Sequence, residues 1–252
     1  MRILVQSTLI AALVLGLVTH AQAGWRDWLD SAKEAVTGDQ EEQSGTESTA
    51  DLPASEVTAG LREALIQGAG RAVDTLGRKN GFLEHPELRI QVPSKLEPVA
   101  KGLRAMGQGQ RVDAFETSLN RAAEAAVPAA REVVVDGIRN MTIEDARQIL
   151  NGGDTAATDY LRRTGGDRIR ERIRPLVAQA TKEAQVTRYY KALHEKAGAV
   201  GSMVDMEAYD IDSYVTDEAT DALFTLIAQE ERRIREDPVA RGTELLKKVF
   251  GR

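Results

Sequence analysis

No cysteine occurs anywhere in the 252-residue chain. Its absence excludes disulfides, thiol nucleophiles, thiolate metal sites and any lipid-modified cysteine. Aromatic residues are scarce as well, 4% of the chain against 42% hydrophobic residues in all. A core of this composition has to be filled by Ala, Val, Leu and Ile, the filling of closely packed helices. Three histidines are present, His20, His85 and His194. They stand far apart without ligand spacing, so the sequence offers neither a histidine metal site nor a Ser-His-Asp triad. HExxH, GxSxG, a phosphate loop and a GxGxxG turn are all missing. No cofactor and no metal is expected. Positive charge is in deficit too, with 33 basic against 39 acidic residues and a net charge of −6, a poor balance for binding nucleic acid or anionic lipid.

The chain opens with Arg2, an apolar run from Leu9 to Val18, and Ala21-Gln22-Ala23 in the small-x-small form that a signal peptidase needs. Residues 1–23 are expected to be a cleaved signal peptide, because the run is shorter than the roughly 20 apolar residues that span a bilayer. The mature chain is therefore expected in the periplasm, soluble, with no lipid anchor and no membrane span. In residues 24–37, Trp25, Trp28, Leu29, Ala32 and Val36 share one helical face, which carries both tryptophans. Such a helix docks on its own domain or is presented to a partner. Its polar face mixes Arg26, Asp27, Asp30, Lys33 and Glu34, which suits a protein groove better than lipid. Residues 38–51, GDQEEQSGTESTAD, hold five acids and no base, and read as a disordered linker.

Residues 52–252 are expected to form one all-α domain, a multi-helix bundle around a central helical hairpin, with at most one short extended segment. The hairpin runs from Arg111 to Gly153. Val112, Phe115, Leu119, Ala122, Ala123 and Ala126 recur at helical steps. Val133, Val134 and Val135 point about 100° apart, which implies a helix surrounded by others. Pro128 predicts a break near Glu124–Pro128. Thr142, followed by Glu144 and Asp145, predicts a capped helix that stops before Gly152-Gly153. Val57 to Leu76 marks an earlier helix whose Gly68, Ala69 and Gly70 leave room for a close neighbour. Leu88–Val92 alternates like a strand but has no evident partner. Ser94 with Glu97 reads as a capping box, with Gly107 ending that helix. Asp154 and Asp167 read as caps of two helices divided by Gly165-Gly166, with Pro175 bending the second. RYYKALHEKAG reads as helical. Thr216 reads as the cap of a helix through Leu223, Phe224, Ile227 and Ile234, and Asp237-Pro238 as the start of the last.

Seven strings in order, GFLEHPELRIQVP, LNRAAEAA, MTIEDARQIL, AATDYL, YVTDEATDALF, IAQEERRIREDPVAR and LLKKVFG, resemble those of the bacterial family known as domain of unknown function 4197. The likeness spans roughly Leu52 to Arg252. It implies a helical envelope domain, assigns no activity, and carries no catalytic residue over.

Three groups of polar residues merit attention. Asp210 and Asp212 suggest calcium, but Tyr214 and Val215 stand where a calcium loop needs an oxygen ligand and a glycine, so a solvated acidic loop is expected. Arg162, Arg163, Arg168, Arg170, Arg172 and Arg174 could hold an anion, yet Asp167 and Glu171 are interleaved, and a charged outer helix face is expected. Glu231 falls about 40° from Ile227 and about 60° from Ile234 on a helix, inside the apolar stripe. It is expected to be a buried ion pair with Arg235, Arg241 or Arg121. The alternative is a pocket carboxylate of raised pKa, acting with Glu124 in hydrolysis. The leading reading is an exported, non-enzymatic domain that binds a protein partner or helps organise the cell envelope, with Trp25, Trp28 and Leu29 as the docking face. A carrier of an apolar small molecule and a hydrolase using Glu231 are the alternatives.

Overall fold

The computed structural model describes residues 53–192 and 209–236. Within them the chain forms α1 (Ala54–Gly77), α2 (Glu97–Ala105), α3 (Gly109–Ala126), α4 (Ala130–Arg139), α5 (Ile143–Leu150), α6 (Ala156–Glu183) and α7 (Ile211–Glu236). A further helical segment covers 186–192. The fold is all-α, with no strand among the described residues, and no helix among them is long and apolar enough to cross a membrane.

Position in the bundle follows from how much of each helix is apolar. α3 is the enclosed one: Val112, Phe115, Leu119, Ala122, Ala123 and Ala126 are buried, and so are four polar residues on the same helix. It lies against α1, α2, α6 and α7. α4 was expected to be surrounded because of its three valines, and the structure corrects this. Only Val134 of the three is buried, with Ala130 and Ile138, while Val133 and Val135 are half-buried. Helix α4 has neighbours on one side, and the flanking valines sit at the edges of that contact. Pro128 falls in a 3-10 turn, Val127–Ala129, that separates α3 from α4 as its missing N–H predicts.

Tertiary contact overrides several local end signals. Gly165-Gly166 does not divide two helices, and Asp154 and Asp167 do not cap them: α6 runs 28 residues through both glycines and through Pro175. Gly166 faces Phe224 of α7, where an added Cβ would lie 3.8 Å from its ring. An added Cβ at Gly165 meets nothing within 4 Å. Gly165→Ala is therefore expected to stabilise the chain by about 1 kcal/mol through helix propensity alone, read as a higher urea midpoint with an unchanged slope. A lower midpoint would mean that the glycine is needed. Thr216 is likewise internal. Helix α7 starts at Ile211, and Asp210 caps it by accepting from the Ser213 backbone N–H at 2.9 Å. Ser94 and Glu97 form no capping box, since Ser94–Leu96 is a 3-10 turn without a side-chain cap. Gly107 does end α2, in the left-handed region at φ 75°.

The close approach expected at Gly68 is found. A Cβ there would lie 3.2 Å from Ile234 Cδ1 and 3.6 Å from Glu230 Cβ, so the end of α7 rests on the glycine face of α1.

Candidate functional site

The buried polar residues form two groups. The first is a stripe on α3, where Glu116, Asn120 and Glu124 follow one another at four-residue steps and so lie on one face. They face residues 78–93, a segment without helix or strand that links α1 to the turn before α2. Such a segment must find partners for its buried backbone groups. Asn120 supplies two: its Oδ1 accepts from Ile90 N–H at 2.9 Å, and its Nδ2 donates to Ile90 O at 2.8 Å. Nδ2 also donates to Glu116 O at 2.7 Å. The strand-like stretch Leu88–Val92 thus pairs with a side-chain amide instead of another strand.

The carboxylates on either side of Asn120 extend the attachment. Glu116 accepts from Arg89 at 3.1 Å and pairs with Arg104 at 3.5 Å. Glu124 accepts from Arg121 at 2.5 Å and, more distantly, from Phe82 N–H at 3.5 Å. Arg121 also donates to Asn80 Oδ1. From the other side, the Tyr214 phenol donates to Gln91 O at 3.1 Å. Burial holds that phenol well above its ordinary pKa.

The second group centres on Glu231, which is 4% exposed. Its Oε1 accepts from Ala157 N–H at 2.9 Å, and its Oε2 accepts from Thr158 N–H at 2.8 Å and from the Thr158 hydroxyl at 2.7 Å. These are first-turn N–H groups of α6, which receives no side-chain cap from its own Thr155. Glu231 therefore caps α6 from a helix 73 residues further along the chain. Arg235 completes the arrangement. It donates to Glu231 Oε1 through Nε at 3.1 Å and Nη2 at 2.9 Å, and Nη2 reaches Ile149 O at 3.0 Å at the end of α5. One charged pair thus joins the start of α6, the end of α5 and the last turns of α7.

The expected site residues therefore separate. Glu231 meets Arg235, whereas Arg121 and Glu124 pair with each other; among the described residues Glu124 and Glu231 share no hydrogen-bond partner. Arg241, Trp25, Trp28, Leu29 and His194 lie outside the described residues. Most of the arginine cluster is paired with acid: Arg162 with Asp221, Arg170 with Asp217 and Asp167, Arg172 with Glu132 and Arg174 with Asp210. Asp212 accepts from the Thr181 hydroxyl at 2.7 Å, and no metal-binding group of side chains occurs among the described residues. Sequence reasoning misses Glu116 and Asn120, although three polar residues at successive four-residue steps inside an apolar helix are a readable signal.

Beside the Glu231 group, a cleft of about 240 Å³ opens between α5 and α6, lined in part by Asp145, Asp159, Tyr160 and Arg163. Asp145 forms a capping box with Thr142, whose hydroxyl and N–H hold its carboxyl below the ordinary range. Burial, and then the Asp145 charge, raises the Tyr160 phenol. Two further clefts, of about 270 and 200 Å³, lie at the start of α3 and between α1 and α5. All three open to solvent.

The fold is thus an all-α bundle whose buried polar residues join its segments. Residues 51–251 match the family described as Protein of unknown function (DUF4197), and the chain belongs to that family. No curated protein and no solved structure matches it.

Proposed function

We propose that the protein is exported to the periplasm and acts there by binding an envelope protein, without catalysis, with the Trp25, Trp28 and Leu29 face as the contact. The observation that supports this reading is the state of Glu231, the carboxylate that the sequence singles out for acid-base chemistry. It accepts five hydrogen bonds, three from α6 and two from Arg235, so its lone pairs are committed to joining helices. A domain fastened in this way suits a rigid platform.

Deletion of residues 24–51 tests this reading. The melting temperature is expected to stay within a few degrees of the full mature chain, while crosslinked partners from the periplasm, identified by mass spectrometry, disappear. A large fall in melting temperature would place the tryptophan face in the core. Retention of the same partners by the shortened chain would remove that face from binding.

A further inference from the structure

We propose that the cleft between the start of α3 and the 186–192 segment binds a phosphate group carried on a small apolar body. Its volume is about 270 Å³, and Gln110, Arg111, Ala114, Arg188, Tyr189 and Ala192 line it. Two of these six are arginines, and none is acidic. In a chain with a net charge of −6, most other arginines that face a neighbouring helix have found a carboxylate, as Arg162, Arg170, Arg172 and Arg174 do. Arg111 and Arg188 have none among the described residues. Arg188 donates to Gln185 Oε1 at 2.8 Å, a neutral acceptor.

The two arginines come from different segments and line one space. Like charges held together without a counter-ion repel, and an anion between them reverses the sign of the interaction. Phosphate fits better than carboxylate. It carries about 1.5 to 2 negative charges near pH 7 and so offsets both cations, and each planar guanidinium can present a fork of donors to its oxygens. Helix α3 adds charge of the same sign, since its first turn has no acid and its cap no side-chain hydrogen bond. Tyr189, Ala114 and Ala192 form the apolar part of the wall, which a bare ion leaves uncovered and a short alkyl group covers. The volume lies below the roughly 300–1,000 Å³ of pockets for drug-sized ligands, so the apolar body is small or extends into solvent.

The phosphate can belong to a soluble ester or to a lipid headgroup, and calorimetry on the full mature chain at low salt separates them. Inorganic phosphate, butyl phosphate, a polyglutamate peptide and phosphatidylglycerol vesicles are the probes. Butyl phosphate is expected to bind at least fivefold more tightly than inorganic phosphate. The double variant Arg111→Gln/Arg188→Gln is expected to weaken it at least tenfold, and Arg168→Gln, at an exposed arginine of α6 outside the cleft, to leave it unchanged. Both positions of the double variant are exposed, and circular dichroism melts confirm that it folds. Vesicle binding lost in the double variant identifies a headgroup; butyl phosphate binding alone identifies a soluble ester. No binding of either phosphate probe, binding unaffected by the double variant, or a stronger response to polyglutamate overturns the proposal.

Discussion

Glu231→Gln is expected to lower stability by about 2–4 kcal/mol, a large share of what a domain of this kind has in reserve. The substitution keeps the shape but exchanges one carboxylate oxygen for an NH2 group. Whichever way the amide turns, a donor then faces a backbone N–H of Ala157 or Thr158, or the Arg235 guanidinium. The favourable placement of negative charge at the start of α6 goes with it. Arg235→Met is expected to be milder, about 1–3 kcal/mol, because Glu231 retains its three hydrogen bonds from α6 while Ile149 O loses one. In urea melts of both single variants and the double variant, the direct pair should appear as non-additivity of about 1 kcal/mol or more. Unchanged or raised stability in Glu231→Gln would contradict the structural role and revive the hydrolytic one.

The buried position of Glu231 was legible because helical periodicity is a strong signal over a segment as long as α7, and the phase came from Ile227 and Ile234. Its partners were only partly legible. Arg235 is four residues away on the same helix and was among the candidates. The N–H groups of Ala157 and Thr158 were not, because a backbone donor has no sequence signature. The same limit explains the misplaced ends. Thr142 is legible as a cap because its capping box is complete within four residues. Thr216, Asp154 and Asp167 carry half of that pattern, and there the choice was made by contacts distant in sequence. Gly165 and Gly166 are tolerated inside α6 because long packed flanks carry the helix through both of them.

Core positions follow the same division. The apolar face of α3 could be read residue by residue, since six spaced positions agree on one direction. Three consecutive valines in α4 establish only that apolar side chains point three ways, and how many of those directions are covered depends on where α1 and α6 lie. Periodicity reports the demand for burial, and the topology decides how much of it is met.

Asn120 is where the largest single loss of stability is expected. It is fully buried, and it alone satisfies both backbone groups of Ile90, a residue 1% exposed. Asn120→Leu keeps most of the volume but leaves that N–H and that C=O without partners, each at about 1–3 kcal/mol, and it presses an isobutyl group against them. The sum, about 3–5 kcal/mol, exceeds the effect expected at Glu231. Asn120→Ala should be at least as damaging, because unfilled space replaces poor packing. The Leu variant cannot be relieved by water unless residues 78–93 lift from α3, and that movement is itself measurable. Hydrogen exchange at Phe82, Ile90 and neighbouring amides should rise in Asn120→Leu by more than in the centre of α6, which marks local opening beyond the global loss. A Leu variant within 1 kcal/mol of the original chain, or one in which exchange rises equally everywhere, would show that the segment is held by the apolar contacts of Phe82, Leu88 and Ile90 rather than by the Asn120 amide.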